Sequence, residues 1–135
     1  MRDWCSRPVF FVKDAEDSLK FYTEKLGFSL DWNYQEGGRA DVCQVSRHGF
    51  ELILAQNATR AGSGRVFISL NHEQEKALRK DIEDWSIDAR ETQWGIPVVE
   101  TMDPDGNELL FAPPRANNSD ENDYSSSSAA ASRPE

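Results

Sequence analysis

Cysteine is scarce in this 135-residue chain: Cys5 and Cys43 are the only two, and they lie far apart. This excludes a disulfide framework and a cysteine-based zinc site, both of which need several cysteines at short spacing. Long apolar runs are also missing. No stretch approaches the ~20 residues needed to cross a bilayer. The opening "MRDWCSRP" lacks the apolar segment of a secretory signal, so a cytoplasmic location is expected. Positive charge is in deficit, with 15 Lys and Arg against 24 Asp and Glu and a formal net charge of −9. Nucleic-acid binding draws its affinity from basic side chains on phosphates and is therefore not expected. The excess of carboxylates favours a neutral or cationic partner. Histidine is nearly absent as well: only His48 and His72 are available to a metal.

What remains is one domain's worth of foldable sequence followed by a tail. From Arg115 the chain reads "RANNSDENDYSSSSAAASRPE", with Tyr124 its one large apolar residue. Such a composition cannot offset the entropy of ordering itself, so 115–135 is expected to be disordered. The preceding part, 1–114, contains an internal repeat. "PVFFV" at Pro8–Val12 resembles "RVFIS" at Arg65–Ser69, and "GFELILA" at Gly49–Ala55 resembles "GNELLFA" at Gly106–Ala112. Both matches are consistent with a spacing of 57 residues, which suggests a duplicated module, one over about 7–57 and the other over about 64–114.

Each module opens with an apolar strand. Asp14 and Asn71 then stand where a helix N-cap belongs, with Asp17 and Gln74 three residues on. Ala15, Leu19, Tyr22 and Leu26 form one apolar helix face ended by Gly27; Leu78, Ile82 and Trp85 form another, which places Trp85 in the core. Three short alternating segments follow each helix, separated by the turns "EGGR" and "RHG" in the first module and "WGIP" and "DPDG" in the second. The expected fold class is therefore α+β, two tandem β-α-β-β-β modules whose mixed sheets form a cup.

In order and spacing, "PVFFVKDAEDSLKFYTEKLGFSLDW" and "WGIPVVETMDPDGNELLF" resemble the opening strand and helix and the closing hairpin of the glyoxalase/bleomycin-resistance/dioxygenase superfamily, the vicinal-oxygen-chelate proteins. The "WG" at Trp94 and Gly95 is most similar to the bleomycin-resistance branch. Enzymes of this superfamily hold a divalent metal (Ni, Zn, Fe or Mn) through a residue near the start of each module's first strand and a Glu four residues after the last turn glycine. Carried onto this chain, those positions are Arg7 and Arg65, and Ile53 and Leu110. A guanidinium cannot ligate a cation, and neither aliphatic side chain has a donor atom. Glu51 and Glu108 stand two residues earlier on their strands, roughly 7 Å away, where a metal bond needs ~2 Å.

The resemblance therefore implies a metal-free binding protein without a cofactor. It would be a homodimer that sequesters a flat cationic or aromatic small molecule in a cleft, as in antibiotic resistance. Trp32, Tyr34 and Trp94 would supply aromatic faces, Glu51 and Glu108 the negative charge, and Leu110 the cup floor. Two structural alternatives stand beside this. Trp32 and Tyr34 share an alternating face with Phe28 and Leu30 and could pack in the core, and the glutamates could be rim carboxylates paired with Arg7 or Arg65. The alternative function is a metal-dependent lyase of the glyoxalase type, with Glu51 or Glu108 as base.

Overall fold

The structure, a computed structural model, describes residues 4–37 and 39–114; the tail expected at 115–135 lies outside them. Each half of the chain makes a strand, a capped helix and three more strands. The first half contains β1 (Val9–Val12), α1 (Ala15–Glu24), β2 (Ser29–Glu36), β3 (Arg39–Arg47) and β4 (Phe50–Gln56). The second contains β5 (Arg65–Ser69), α2 (His72–Asp84), β6 (Ala89–Gln93), β7 (Pro97–Met102) and β8 (Glu108–Ala112). They build two four-stranded sheets in the orders β1-β4-β3-β2 and β5-β8-β7-β6. In each, the first strand pairs parallel with the last and the remaining pairs are antiparallel. This is the α+β arrangement of two β-α-β-β-β modules expected from the sequence. No helix among the described residues is long and apolar enough to cross a membrane.

The local chemistry accounts for the element ends. The Asp14 carboxylate accepts from the backbone N–H groups of Glu16 and Asp17, at 2.9 and 3.0 Å. Asn71 and Gln74 form a reciprocal capping box at the start of α2. Period-2 alternation turns Phe10, Val12, Val45, Leu52, Leu54, Leu109 and Phe111 into one shared core, closed by Tyr22 from α1 and Leu26 just beyond its end. Trp85 departs from the expectation. α2 ends at Asp84, and Trp85 caps it with non-helical backbone angles (φ −106°, ψ 6°), so its side chain leaves the apolar stripe and is 50% exposed.

The repeat is not gap-free. Val9 lies opposite Ile53 and Phe67 opposite Leu110, so the first strands correspond at a spacing of 58 while the last strands keep 57. The strand-to-helix connection is one residue shorter in the second module.

The "DPDGN" turn locks the modules together. Asp103, buried at 4% exposure, accepts hydrogen bonds from Tyr22 Oη (3.0 Å), from the N–H groups of Asp105 and Asn107 (both 2.9 Å) and from Asn107 Nδ2 (2.9 Å). Asn107 is fully buried. It also donates to the Phe11 carbonyl (3.0 Å) and accepts from the Gly64 N–H (2.8 Å). One turn of the second module therefore holds α1, β1 and the linker. Gly62 and Gly64 are required there: a Cβ on Gly62 would sit 2.2 Å from the Asp105 carbonyl oxygen, and one on Gly64 would sit 2.5 Å from the Phe10 ring.

Burial, reinforced by the neighbouring charge of Asp103, pushes the Tyr22 phenol well above its ordinary value. The folded state therefore keeps this proton above pH ~10, where the unfolded chain releases it. Tyr22's contribution is complete below pH ~10 and is lost as pH rises beyond it, by up to about 1.4 kcal/mol per pH unit. Urea unfolding at pH 9 and 11 should show a smaller loss of stability in Tyr22→Phe than in wild type; equal losses would refute the assignment.

Candidate functional site

The side of each sheet that faces away from the core is its open face, and the two open faces differ in chemistry. On the first sheet, β3 alternates Cys43 and Val45 into the core with Gln44 and Ser46 outward. A β-bulge in β2 then decides where the aromatics go. Leu30 pairs with Val45 on the core side, the register shifts at Asp31, and Trp32 and Tyr34 pair with Gln44 and Val42 on the open side. The bulge separates Trp32 and Tyr34 from the Phe28–Leu30 face and rules out core packing for them. They are 41% and 55% exposed.

The same bulge turns Asp31 onto the open face. Its carboxylate accepts from Gln44 Nε2 and Ser46 Oγ, both at 2.8 Å. Gln44 is in turn held by Arg7 Nη1 at 2.7 Å. Ser46 lies directly opposite Glu51 on β4, so it stands between two carboxylates. Among the described residues, neither Asp31 nor Glu51 forms an ion pair. The face thus combines two exposed aromatic rings with two carboxylates outside any ion pair among the described residues, the Arg7 guanidinium reaching Asp31 only through the Gln44 amide. At one end, the Arg60 guanidinium sits 4.5 Å over the Phe11 ring.

On the second sheet the open-face carboxylates of Glu108 and Glu100 are each held in an ion pair. Arg65 Nε lies 2.5 Å from Glu108 Oε1, and Arg90 Nε lies 2.6 Å from Glu100 Oε1. The Arg65 guanidinium also lies 5.6 Å from the Trp94 ring centre, and Trp94 packs against Phe67 at 5.4 Å. Leu110, between Phe67 and Glu100 in the register, is only 2% exposed. Here the protein's own arginines take the places a cationic guest would use.

The six residues singled out from the sequence therefore divide evenly. Trp32, Tyr34 and Glu51 share the open face of the first sheet; Trp94, Glu108 and Leu110 belong to the second. Glu108 adopts the paired rim arrangement with Arg65, whereas Arg7 reaches Gln44 rather than Glu51. Asp31, Gln44 and Ser46 were not anticipated. The polar alternation of Gln44 and Ser46 is visible in the sequence, but the bulge that brings Asp31 to them is not.

The residues present do not fit a divalent metal. Arg7 and Arg65 are engaged as donors, and Ile53 and Leu110 have only carbon to offer. His48 occupies the β3–β4 turn with φ 53°, and His72 is exposed at the start of α2. Among the described residues, no three His, Cys, Asp or Glu side chains converge as a metal site.

Residues 5–118 match the family model described as "Glyoxalase superfamily protein". Three solved structures share the fold. A glyoxalase/bleomycin resistance protein from Catenulispora acidiphila DSM 44928 is 18% identical with a TM-score of 0.69, covering 84% of this chain and 100% of that one. The bleomycin-binding protein of Streptomyces verticillus, solved with copper(II)-bleomycin, is 18% identical with a TM-score of 0.63, covering 85% and 100%. An antibiotic binding protein from Streptomyces sp. CB03234 is 22% identical with a TM-score of 0.61, also covering 85% and 100%.

Proposed function

The chain belongs to the glyoxalase superfamily, and we propose that within it this protein is a metal-free binder of a flat, cationic small molecule, held on the open face of the first sheet. The observation that carries this reading is the constellation of Trp32 and Tyr34 beside the carboxylates of Asp31 and Glu51, neither of which is in an ion pair among the described residues. A planar cation gains stacking and cation-π attraction from the rings and charge-assisted hydrogen bonds from the carboxylates. Two similarly folded proteins bind bleomycin and an antibiotic, which supports the same kind of ligand here.

The mechanism is sequestration. Ser46 and Gln44 hold the Asp31 carboxylate in place, so the charge is oriented before a ligand arrives. The protein works as a homodimer in this reading. Both open faces expose large apolar side chains, including Val9, Phe67, Trp94, Ile96 and Met102, and a second copy would cover them and close a cleft over the ligand.

The test is calorimetric titration of metal-free bleomycin into protein purified without chelator, together with metal analysis of the same sample. Saturable binding without retained metal is the expected result. One tightly held Ni, Zn, Fe or Mn per site, or metal-dependent turnover of a glutathione hemithioacetal, would establish the lyase reading instead.

A further inference from the structure

We propose that the protein has a second binding site, for a neutral, compact apolar molecule of about one ring, in a cavity between the two modules. The cavity has a volume of about 120 Å³ and lies on the helix side of the sheets, away from the open faces. Leu26, Phe28 and Phe50 of the first module wall it on one side, and Ile68, Leu78 and Phe111 of the second wall it on the other.

Its origin is an asymmetry between the two helices. α1 sends Ala15, Ser18 and Tyr22 into the interior, whereas the residues 57 positions later are His72, Glu75 and Arg79, and Leu78 is the one buried residue of α2. The second helix thus brings less apolar volume to the interior than the first, and the space beneath Leu78 is left open toward Phe28 and Phe50. An apolar cavity of about 150 Å³ accepts benzene or xenon, so about 120 Å³, walled by apolar side chains and opening at a mouth bordered by Arg47, His48, Ser69 and Gln74, matches a guest of that size.

The charge at the rim selects a neutral guest. Arg47 is the cation beside the cavity, and it is satisfied by Asp81 Oδ2 at 2.7 Å and the Leu26 carbonyl at 2.6 Å. This ion pair joins β3 of the first module to α2 of the second, so a guest between Phe50 and Leu78 would tighten the same junction. The two sites would then discriminate by charge, with a cation on the open face and an uncharged molecule between the modules.

The test uses benzene on the full-length protein. At ten times its Kd it should raise the wild-type Tm by roughly 3–6 °C. Leu78→Phe fills the space and should abolish that shift while leaving the response to metal-free bleomycin unchanged. No benzene shift in wild type, or an equal shift in a folded Leu78→Phe, overturns the proposal. Should Leu78→Phe not fold, xenon-pressurised crystals of the wild type decide: xenon between Phe28, Phe50 and Leu78 sustains the site, and its absence there removes it. Because bleomycin reports on the open face alone, failure of one site is distinguishable from failure of the other.

Discussion

Asn107→Ala should cost about 3–5 kcal/mol of stability and lower the Tm by more than about 10 °C, an effect as large as deleting a big core side chain. The substitution leaves the buried Gly64 N–H without its acceptor and also takes a donor from the Phe11 carbonyl, which keeps only the Gly62 N–H, and from Asp103 Oδ2, which keeps only Tyr22. An unsatisfied buried group costs about 1–3 kcal/mol, more when it is charged, and a small apolar residue cannot replace any of the lost bonds. Asp103→Ala should be comparable, since it strips acceptors from Tyr22, Asp105 and Asn107 together. Tyr22→Phe should be milder, about 1–2 kcal/mol, because the Asp103 carboxylate keeps its other three donors. Urea unfolding of the three variants gives this ranking directly. A loss below about 1 kcal/mol for Asn107→Ala would show that the turn only connects two strands.

That turn illustrates where sequence and structure part. "DPDGN" is legible as a turn, and the strand after it as half-apolar, because glycine, proline and period-2 alternation are local signals. Its inter-module role is not legible, since Tyr22 and Asp103 are 81 positions apart and meet only after both modules fold. The same division runs through the rest of the molecule. The caps at Asp14 and Asn71 and the strands Val9–Val12 and Phe50–Gln56 follow from chemistry within a few residues, and they form where expected.

The candidate site was half legible. Trp32, Tyr34 and Glu51 could be selected by type, but strict alternation from Phe28 would send the two aromatics into the core. One extra residue at Asp31 reverses the face of everything after it, and a β-bulge has no dependable sequence mark. Glu51 and Glu108 look equivalent in the repeat. They differ because Arg65 sits beside Glu108 across the parallel β5–β8 pair, whereas Arg7, two residues before β1, is drawn to Gln44.

That difference sets the second large expectation. Neutralising both carboxylates of the first open face, Asp31→Asn with Glu51→Gln, should weaken binding of a flat cationic ligand on the order of 10- to 100-fold. Glu108→Gln should change it less than about threefold, because the Glu108 charge is already matched by Arg65. Metal-free bleomycin is the cationic probe, and an uncharged aromatic of similar area is the control that should lose little with the same double substitution. The loss should also shrink as salt rises, since an exposed carboxylate is screened over about 10 Å at 0.1 M ionic strength. Trp32→Ala acts through stacking rather than charge, so it should weaken the cationic and the neutral ligand together. If Glu108→Gln costs as much as the double substitution, the Arg65 pair must open to admit ligand and the site extends onto the second sheet. If neither matters, the net charge of −9 serves solubility, and the exposed rings belong to a protein interface instead.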